Sequence, residues 1–245
     1  MQIHIYKDGD EVTSALAEWM AELIAKTLLT KDKFTLALSG GETPKALYKK
    51  LAASPYKEKI DWGKIHFFWG DERVVPFTDE RNNAKMAYDN LLEKINVSEE
   101  QIHIMQTGIE PVNAAIEYEK ILHQYFDDQP STFDLVLLGM GDDGHTLSLF
   151  PNSLVLFQNN KWVTEILSKE KGKRITLLPS VVNLSSSIVF LVTGAAKATT
   201  LKKVLEGEYQ PDKFPAQLIK PANGELHWFV DEEAAKDLKP IVPQA

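Results

Sequence analysis

No cysteine occurs anywhere in the 245 residues. That absence excludes a disulfide framework, a thiolate nucleophile, a Cys-ligated zinc or iron–sulfur centre and any thiol redox switch. Nucleophilic or acid–base chemistry therefore falls to His, Asp, Glu, Ser, Lys or Tyr. Positive charge is also short: 27 Lys+Arg stand against 35 Asp+Glu, a formal net charge of −8. Nucleic-acid binders need clustered positive charge to release counterions, so no nucleic-acid partner is expected, although a local basic spot can still hold one small anion. Arginine is the scarcer cation, with Arg73, Arg81 and Arg174 set against 24 lysines. No apolar run approaches the roughly 18 to 20 residues of a membrane span. The first residues, Met1 to Ser14, show no basic segment followed by an apolar one. These absences read together as a cytoplasmic protein with no membrane partner and no obligate protein partner in evidence.

What is present is ordinary for a globular chain, 44% hydrophobic and 25% charged. At roughly 100 to 200 residues per domain, the length suits one α/β unit, and residues 1–245 are expected to form a single domain. The polar stretch Gln158–Lys173 encloses a strand-like segment, Trp162–Leu167, so it reads as an exposed excursion and not as a linker. Short β-branched runs alternate with amphipathic segments along the chain. Strands are expected at Ile3–Tyr6, Phe34–Leu38, Ile65–Trp69, Ile102–Met105, Asp134–Leu138, Trp162–Leu167, Ile188–Val192 and Leu226–Val230. Helices are expected at Asp10–Leu29, with Asp10 as cap, after Pro44 through Leu47 and Leu51, and at Asn83–Lys94, Val112–Phe126, Lys197–Leu205 and Glu232–Leu238. Several strand runs are apolar on both parities, as strands covered on both faces are. The fold class is therefore α/β, Rossmann-like, with a mostly parallel central sheet covered by helices on both faces.

Ligands of open α/β sheets bind beyond the carboxyl ends of the strands, and four loops there stand out. Ser39-Gly40-Gly41-Glu42-Thr43-Pro44 opens a helix; its glycines and free helix-start N–H groups suit a phosphate, or the stretch is a plain strand-to-helix turn. Asp71-Glu72-Arg73 follows an apolar strand and makes either a solvated turn or a carboxylate and guanidinium facing a cleft. The loop Gly139-Met140-Gly141-Asp142-Asp143-Gly144-His145-Thr146 is the most informative. It delivers a His beyond a buried strand, with Asp143 placed to fix the tautomer so that the other ring nitrogen can act as a base. The remaining histidines, His4, His66, His103, His123 and His227, fall inside expected strands or a helix, where a structural role is the better reading. Thr193-Gly194-Ala195-Ala196-Lys197 sets a Lys at a helix start, where the dipole disfavours a cation and a bound anion would relieve it. The alternative is that Lys197 extends into solvent. No metal-ligand motif occurs, and Asp142 and Asp143 beside one His give too few ligands.

Read together, these loops resemble the 6-phosphogluconolactonase family. The resemblance runs through Leu36–Pro44, Trp69–Pro76, Asp143–Pro151, Arg174-Ile175-Thr176, Pro179, Asn183, Phe190–Ala198, Phe214-Pro215-Ala216 and Trp228–Asp231. It implies hydrolysis of a sugar phosphate lactone, 6-phospho-D-glucono-1,5-lactone, without metal or organic cofactor. His145 then corresponds to the family's general base, and Asp71 and Arg73 to its charged pair beside the reacting end. Ser39, Gly40, Gly41, Thr43 and Lys197 correspond to the surface holding the phosphate and hydroxyls, and Arg174 to a family arginine with a phosphate role. Glu42 departs from the family's small or polar residue and is expected to point to solvent. Asn83 aligns with the family's Asn, while Asn82 and Ala84 depart from their Ser and Tyr neighbours, and no role is carried onto them. The alternative is glucosamine-6-phosphate deaminase/isomerase chemistry, whose pattern keeps a Glu after the Asp-Gly-His that this chain lacks. A sugar-phosphate sensor would carry a basic DNA-binding segment, and none is present.

Overall fold

The computed structural model describes residues 1–168 and 170–240; Lys169 of the polar stretch and residues 241–245 of the expected domain lie outside the described residues. The strands are β1 (Gln2–Tyr6), β2 (Phe34–Leu38), β3 (Ile65–Trp69), β4 (Asp71–Arg73), β5 (Leu135–Leu138), β6 (Val163–Ser168), β7 (Gly172–Leu177), β8 (Ser187–Val192) and β9 (Glu225–Asp231). The helices are α1 (Gly9–Thr27), α2 (Glu42–Leu51), α3 (Tyr56–Lys59), α4 (Asn83–Asn90), α5 (Pro111–Phe126), α6 (Pro179–Val182), α7 (Ala198–Glu206) and α8 (Glu232–Ala235).

Six strands form a parallel sheet in the order β1-β9-β8-β5-β2-β3. Alternate side chains of each inner strand enter different cores, because neighbouring Cβ atoms point to opposite faces. Val136, Leu138, Ile188, Phe190 and Trp228 pack with α5, α6, α7 and α8. Leu135, Leu137, Val189, Leu191 and Phe229 pack with α1, α2 and α4. Helices thus cover both faces, as the doubly apolar strand runs imply. In α1, Leu16, Met20 and Ile24 face the sheet at four-residue spacing. Asp8, not Asp10, caps it: the Asp8 carboxylate accepts the N–H groups of Asp10 and Glu11, both at 3.0 Å. The Asp10 carboxylate instead meets Lys50 at 2.7 Å. No described helix is long and apolar enough to cross a membrane.

One expected strand is absent, and another forms outside the central sheet. Ile102–Met105 forms no strand and touches β3 through one bridge, Ile102 to Phe67. Trp162–Leu167 does not join the central sheet; as β6 it lies in a second, antiparallel sheet of order β4-β7-β6. The charged triplet Asp71–Arg73 is one of the two outer strands of that sheet. Gly70 couples the two sheets, its N–H reaching Leu38 O at 3.0 Å and its O accepting from Leu177 N–H at 2.8 Å. The second sheet consequently stands against the carboxyl ends of β2 and β3.

Candidate active site

β8, β5, β2 and β3 are neighbours in the parallel sheet, so the loops leaving their carboxyl ends meet on one side. They enclose a cleft of about 270 Å³ lined by Ser39, Gly40, Gly41, Asp71, Arg73, Asn83, Gly139, Met140, Gly141, His145, Leu147 and Lys197. A larger groove of about 630 Å³ opens on the far side of Asp143, against Phe150, Leu154 and Leu167. We place the chemistry in the smaller cleft, because polar groups from four different loops converge there. Seven of the ten residues singled out from the sequence line it, and Asp143 is bonded to one of them, His145. Thr43 and Arg174 do not line it.

The loop after β5 fixes His145. Its Nδ1 lies 2.5 Å from Asp143 Oδ1, and its backbone N–H donates to the same oxygen at 3.1 Å. Burial pulls the Asp143 carboxyl up, but hydrogen bonding to His145 and its charge, then Lys171, outweigh that and hold it below its ordinary value. An ionised carboxylate only accepts, so a neutral ring carries its proton on Nδ1 and keeps its lone pair on Nε2. The loop closes tightly: Gly141 N–H donates to His145 O at 2.8 Å, and Thr146 Oγ1 donates to Gly139 O at 2.8 Å. Gly141 has to be glycine, since a Cβ there would fall 2.1 Å from His145 Nδ1. Leu147 is held at φ 55° beside the cleft, a left-handed conformation that a leucine adopts only under constraint.

The opposite wall comes from β4 and α4. Ser148 Oγ donates to Asp71 Oδ2 at 2.6 Å. Arg73 Nη1 donates to Asn83 Oδ1 at 2.6 Å and to Arg81 O at 2.9 Å, while Asn83 Nδ2 donates to Asp71 O at 2.9 Å. Asn83 presses on the loop after β2 so closely that a Cβ on Gly40 would lie 2.0 Å from its Oδ1. Beneath this wall Glu72 is 1% exposed. Burial pushes its carboxyl up to about 7, against three backbone N–H bonds that pull it down. Sequence reasoning passed over Ser148, Asn83 and Glu72. Ser148 sits three residues after His145 in the same loop and Asn83 was noticed without a role, but nothing local signals the burial of Glu72.

The other expected residues sort as follows. Lys197 ends a 3-10 turn, Ala195–Lys197, before α7 and reaches the cleft, where it pairs with Asp142 at 2.5 Å. It therefore neither extends freely into solvent nor awaits its first counter-charge. Thr43 Oγ1 contacts Thr193 Oγ1 at 3.0 Å, tying the loops after β2 and β8 together behind the lining. Arg174 lies opposite Arg73 in the antiparallel register, and burial, then Arg73, pull its pKa down. Glu42 points outward, its side chain 89% exposed beside Lys45. None of the other five histidines lines the cleft. His4 meets His227 at 3.2 Å, and His66 and His103 both meet Tyr125 Oη at 2.9 Å. Among the described residues no group of three His, Cys, Asp or Glu is arranged to hold a metal ion.

With the geometry known, comparison with known proteins is specific. Residues 7–228 match the family described as glucosamine-6-phosphate isomerases/6-phosphogluconolactonase. A 6-phosphogluconolactonase from Synechocystis is 39% identical over 221 residues, covering 89% of this chain and 90% of that one. The crystal structure of a 6-phosphogluconolactonase from Thermotoga maritima aligns with a TM-score of 0.82 at 30% identity, covering 94% of this chain and 99% of that one. A monomeric glucosamine-6-phosphate deaminase aligns with a TM-score of 0.83 at 20% identity, covering 97% of this chain and 100% of that one, which is a likeness of fold alone. The chain belongs to the glucosamine-6-phosphate isomerase/6-phosphogluconolactonase family.

Proposed function

We propose that this chain hydrolyses 6-phospho-D-glucono-1,5-lactone to 6-phospho-D-gluconate by general-base activation of water. One observation carries the reading: His145 lines the cleft with Nδ1 committed to Asp143, across from Arg73 and near Lys197. Nε2 takes a proton from water as the water oxygen bonds to the lactone carbonyl carbon. The carbonyl π electrons move to oxygen, and Arg73 meets the oxyanion. When the tetrahedral species collapses, the bond to the ring oxygen breaks and that oxygen leaves with the proton held by His145. Asp71, steadied by Ser148, orients the reacting end. Ser39, Gly40, Gly41 and Lys197 hold the phosphate and hydroxyls, with Thr43 tying their loops together behind the lining and Arg174 adding its charge beside Arg73. The names of the relatives support this substrate, as does the lack of a Glu after the Asp-Gly-His where the deaminase pattern has one. The two cores on opposite faces of one sheet support reading the chain as one domain, and a cytoplasmic setting belongs to the same reading.

The decisive experiment follows the opening of freshly prepared 6-phosphogluconolactone above its spontaneous rate, beside ammonia release from glucosamine 6-phosphate. Lactone hydrolysis without ammonia release is the expected result. Ammonia release without accelerated hydrolysis would overturn the assignment in favour of the deaminase reaction.

A further inference from the structure

We propose that Glu72 is a positioning residue: a buried carboxylate that aims Arg73 into the cleft by clamping the start of α4, and with it Asn83, onto β4. The inference rests on the hydrolytic reading of the cleft and adds to it a residue that does not touch the substrate.

Strand alternation turns Asp71 and Arg73 toward the cleft and Glu72 away from it. There its carboxylate is met by backbone N–H groups: Oε1 accepts from Arg73 and Asn83, both at 2.7 Å, and Oε2 accepts from Ala84 at 2.8 Å. Among the described residues no Lys, Arg or His makes an ion pair with it. Two of the three donors are first-turn N–H groups of α4, which have no partner inside the helix. Holding the helix end does not by itself require this residue, because Asn82 already caps α4 by accepting Lys85 N–H at 2.8 Å. A buried carboxylate without an ion pair is costly, so a second, charged acceptor beneath a capped helix needs another reason.

Asn83 supplies that reason. Its backbone is held by Glu72, and its side chain accepts from Arg73 Nη1 and donates to Asp71 O. Arg73 is also held at its own N–H by Glu72. One carboxylate therefore fixes both the root of the arginine and the group that grips its guanidinium. Because Asn83 abuts Gly40, any slip of α4 is also felt by the loop assigned to the phosphate.

Glu72→Gln keeps shape and one acceptor but turns an NH2 toward the Ala84 N–H, setting donor against donor. A misplacement of about 1 Å can cost a hundredfold in rate, so we expect kcat/KM for the lactone to fall at least about tenfold, mostly in kcat. Asn83→Ala should fall comparably, and the double variant should be within about twofold of the poorer single one, since both break one chain of contacts. Wild-type kcat/KM in the folded Gln variant, or losses that multiply in the double variant, would overturn the proposal. A readout independent of turnover uses the arginine scarcity: three Nε–Hε signals are expected by NMR, with Arg73 identified through Arg73→Lys. In Glu72→Gln the Arg73 signal should shift or broaden while that of Arg81 stays. If the wild type opens no lactone, the functional reading fails by itself, and an unchanged Arg73 signal still decides against Glu72. Should Glu72→Gln not fold, Asn83→Ala alone carries the test, and wild-type kcat/KM there would sink it.

Discussion

Replacing Glu72 by Gln should remove one component from the pH dependence of stability, and its size follows from the burial of the carboxyl. Burial raises this group to about 7 from an ordinary 4.5, with Asp71 adding to the rise and three N–H bonds opposing it. An acid whose folded pKa exceeds its unfolded one binds its proton more tightly in the fold. Its contribution to stability is therefore fully present below about 4.5 and is lost as pH climbs through about 7. Each tenfold in proton affinity is worth about 1.4 kcal/mol, which gives a loss of about 2 to 3 kcal/mol between pH 5 and pH 8. At 1% exposure little of this is screened by solvent. Urea unfolding of wild type and Glu72→Gln across pH 5 to 8 measures it, because all other titrations are common to both proteins and cancel in the difference. The Gln variant pays a pH-independent penalty for its misplaced NH2, but the gap should move in its favour by about 2 to 3 kcal/mol as pH rises. At roughly 2 to 4 °C per kcal/mol for a chain of this size, the Tm gap should move by roughly 5 to 10 °C. A gap constant to within about 0.5 kcal/mol would refute the reasoning, and would mean that the three N–H groups fully offset burial.

His145→Ala should lower kcat by about 10² to 10⁴-fold while 6-phosphogluconate still binds with an affinity within a few-fold of wild type by calorimetry; unchanged turnover would remove His145 from the mechanism. Gly141→Ala places a Cβ 2.1 Å from His145 Nδ1 and 2.7 Å from Asp143 Oδ1, so kcat should fall about 10- to 100-fold with a loss of only a few degrees in Tm. Full activity in that variant would mean that the loop yields without moving the ring. Lys197→Ala should raise KM about tenfold with kcat within about twofold of wild type, as expected for a group that binds substrate and transition state equally; a fall in kcat alone would place Lys197 at the reacting end.

The central sheet was legible because its strands are buried on both faces, which leaves an unmistakable apolar run. Phe34–Leu38 and Ile65–Trp69 match the observed strands residue for residue. His145 was legible for a similar reason, as a glycine-rich loop leaving such a strand has few structural uses for an imidazole. Asp71–Arg73 was not legible as a strand. Its partner β7 lies about a hundred residues later, and two of its three side chains face a polar cleft, so neither periodicity nor apolarity marks it. The opposite error at Ile102–Met105 has the same origin. The segment has a strand's composition, but it sits beside an edge strand and His103 is taken up by Tyr125 and His66. Asn83 and Glu72 owe their importance to a helix start docking on a strand, which no local window contains.

The charge arithmetic also looks different around the cleft from its value over the whole chain. Of the three arginines, Arg81 is neutralised by Asp79 at 2.7 Å, and Lys197 comes to the cleft already paired with Asp142. Arg73 and Arg174 make no ion pair with any described carboxylate, although the chain carries 35 Asp and Glu. They are register partners across β4 and β7, and Arg73 disfavours the charge on Arg174. Arg73 is held instead by neutral acceptors, Asn83 Oδ1 and Arg81 O, which orient a guanidinium without cancelling it. Two adjacent guanidiniums without an ion pair of their own, in a protein of net charge −8, suit a negative group, and a phosphorylated sugar acid or its lactone supplies one. Affinity for such an anion then arises at contact distance and not from the field of the whole molecule. Added salt should therefore raise KM only about two- to threefold between 0.05 and 0.5 M, whereas loss of either arginine should cost far more.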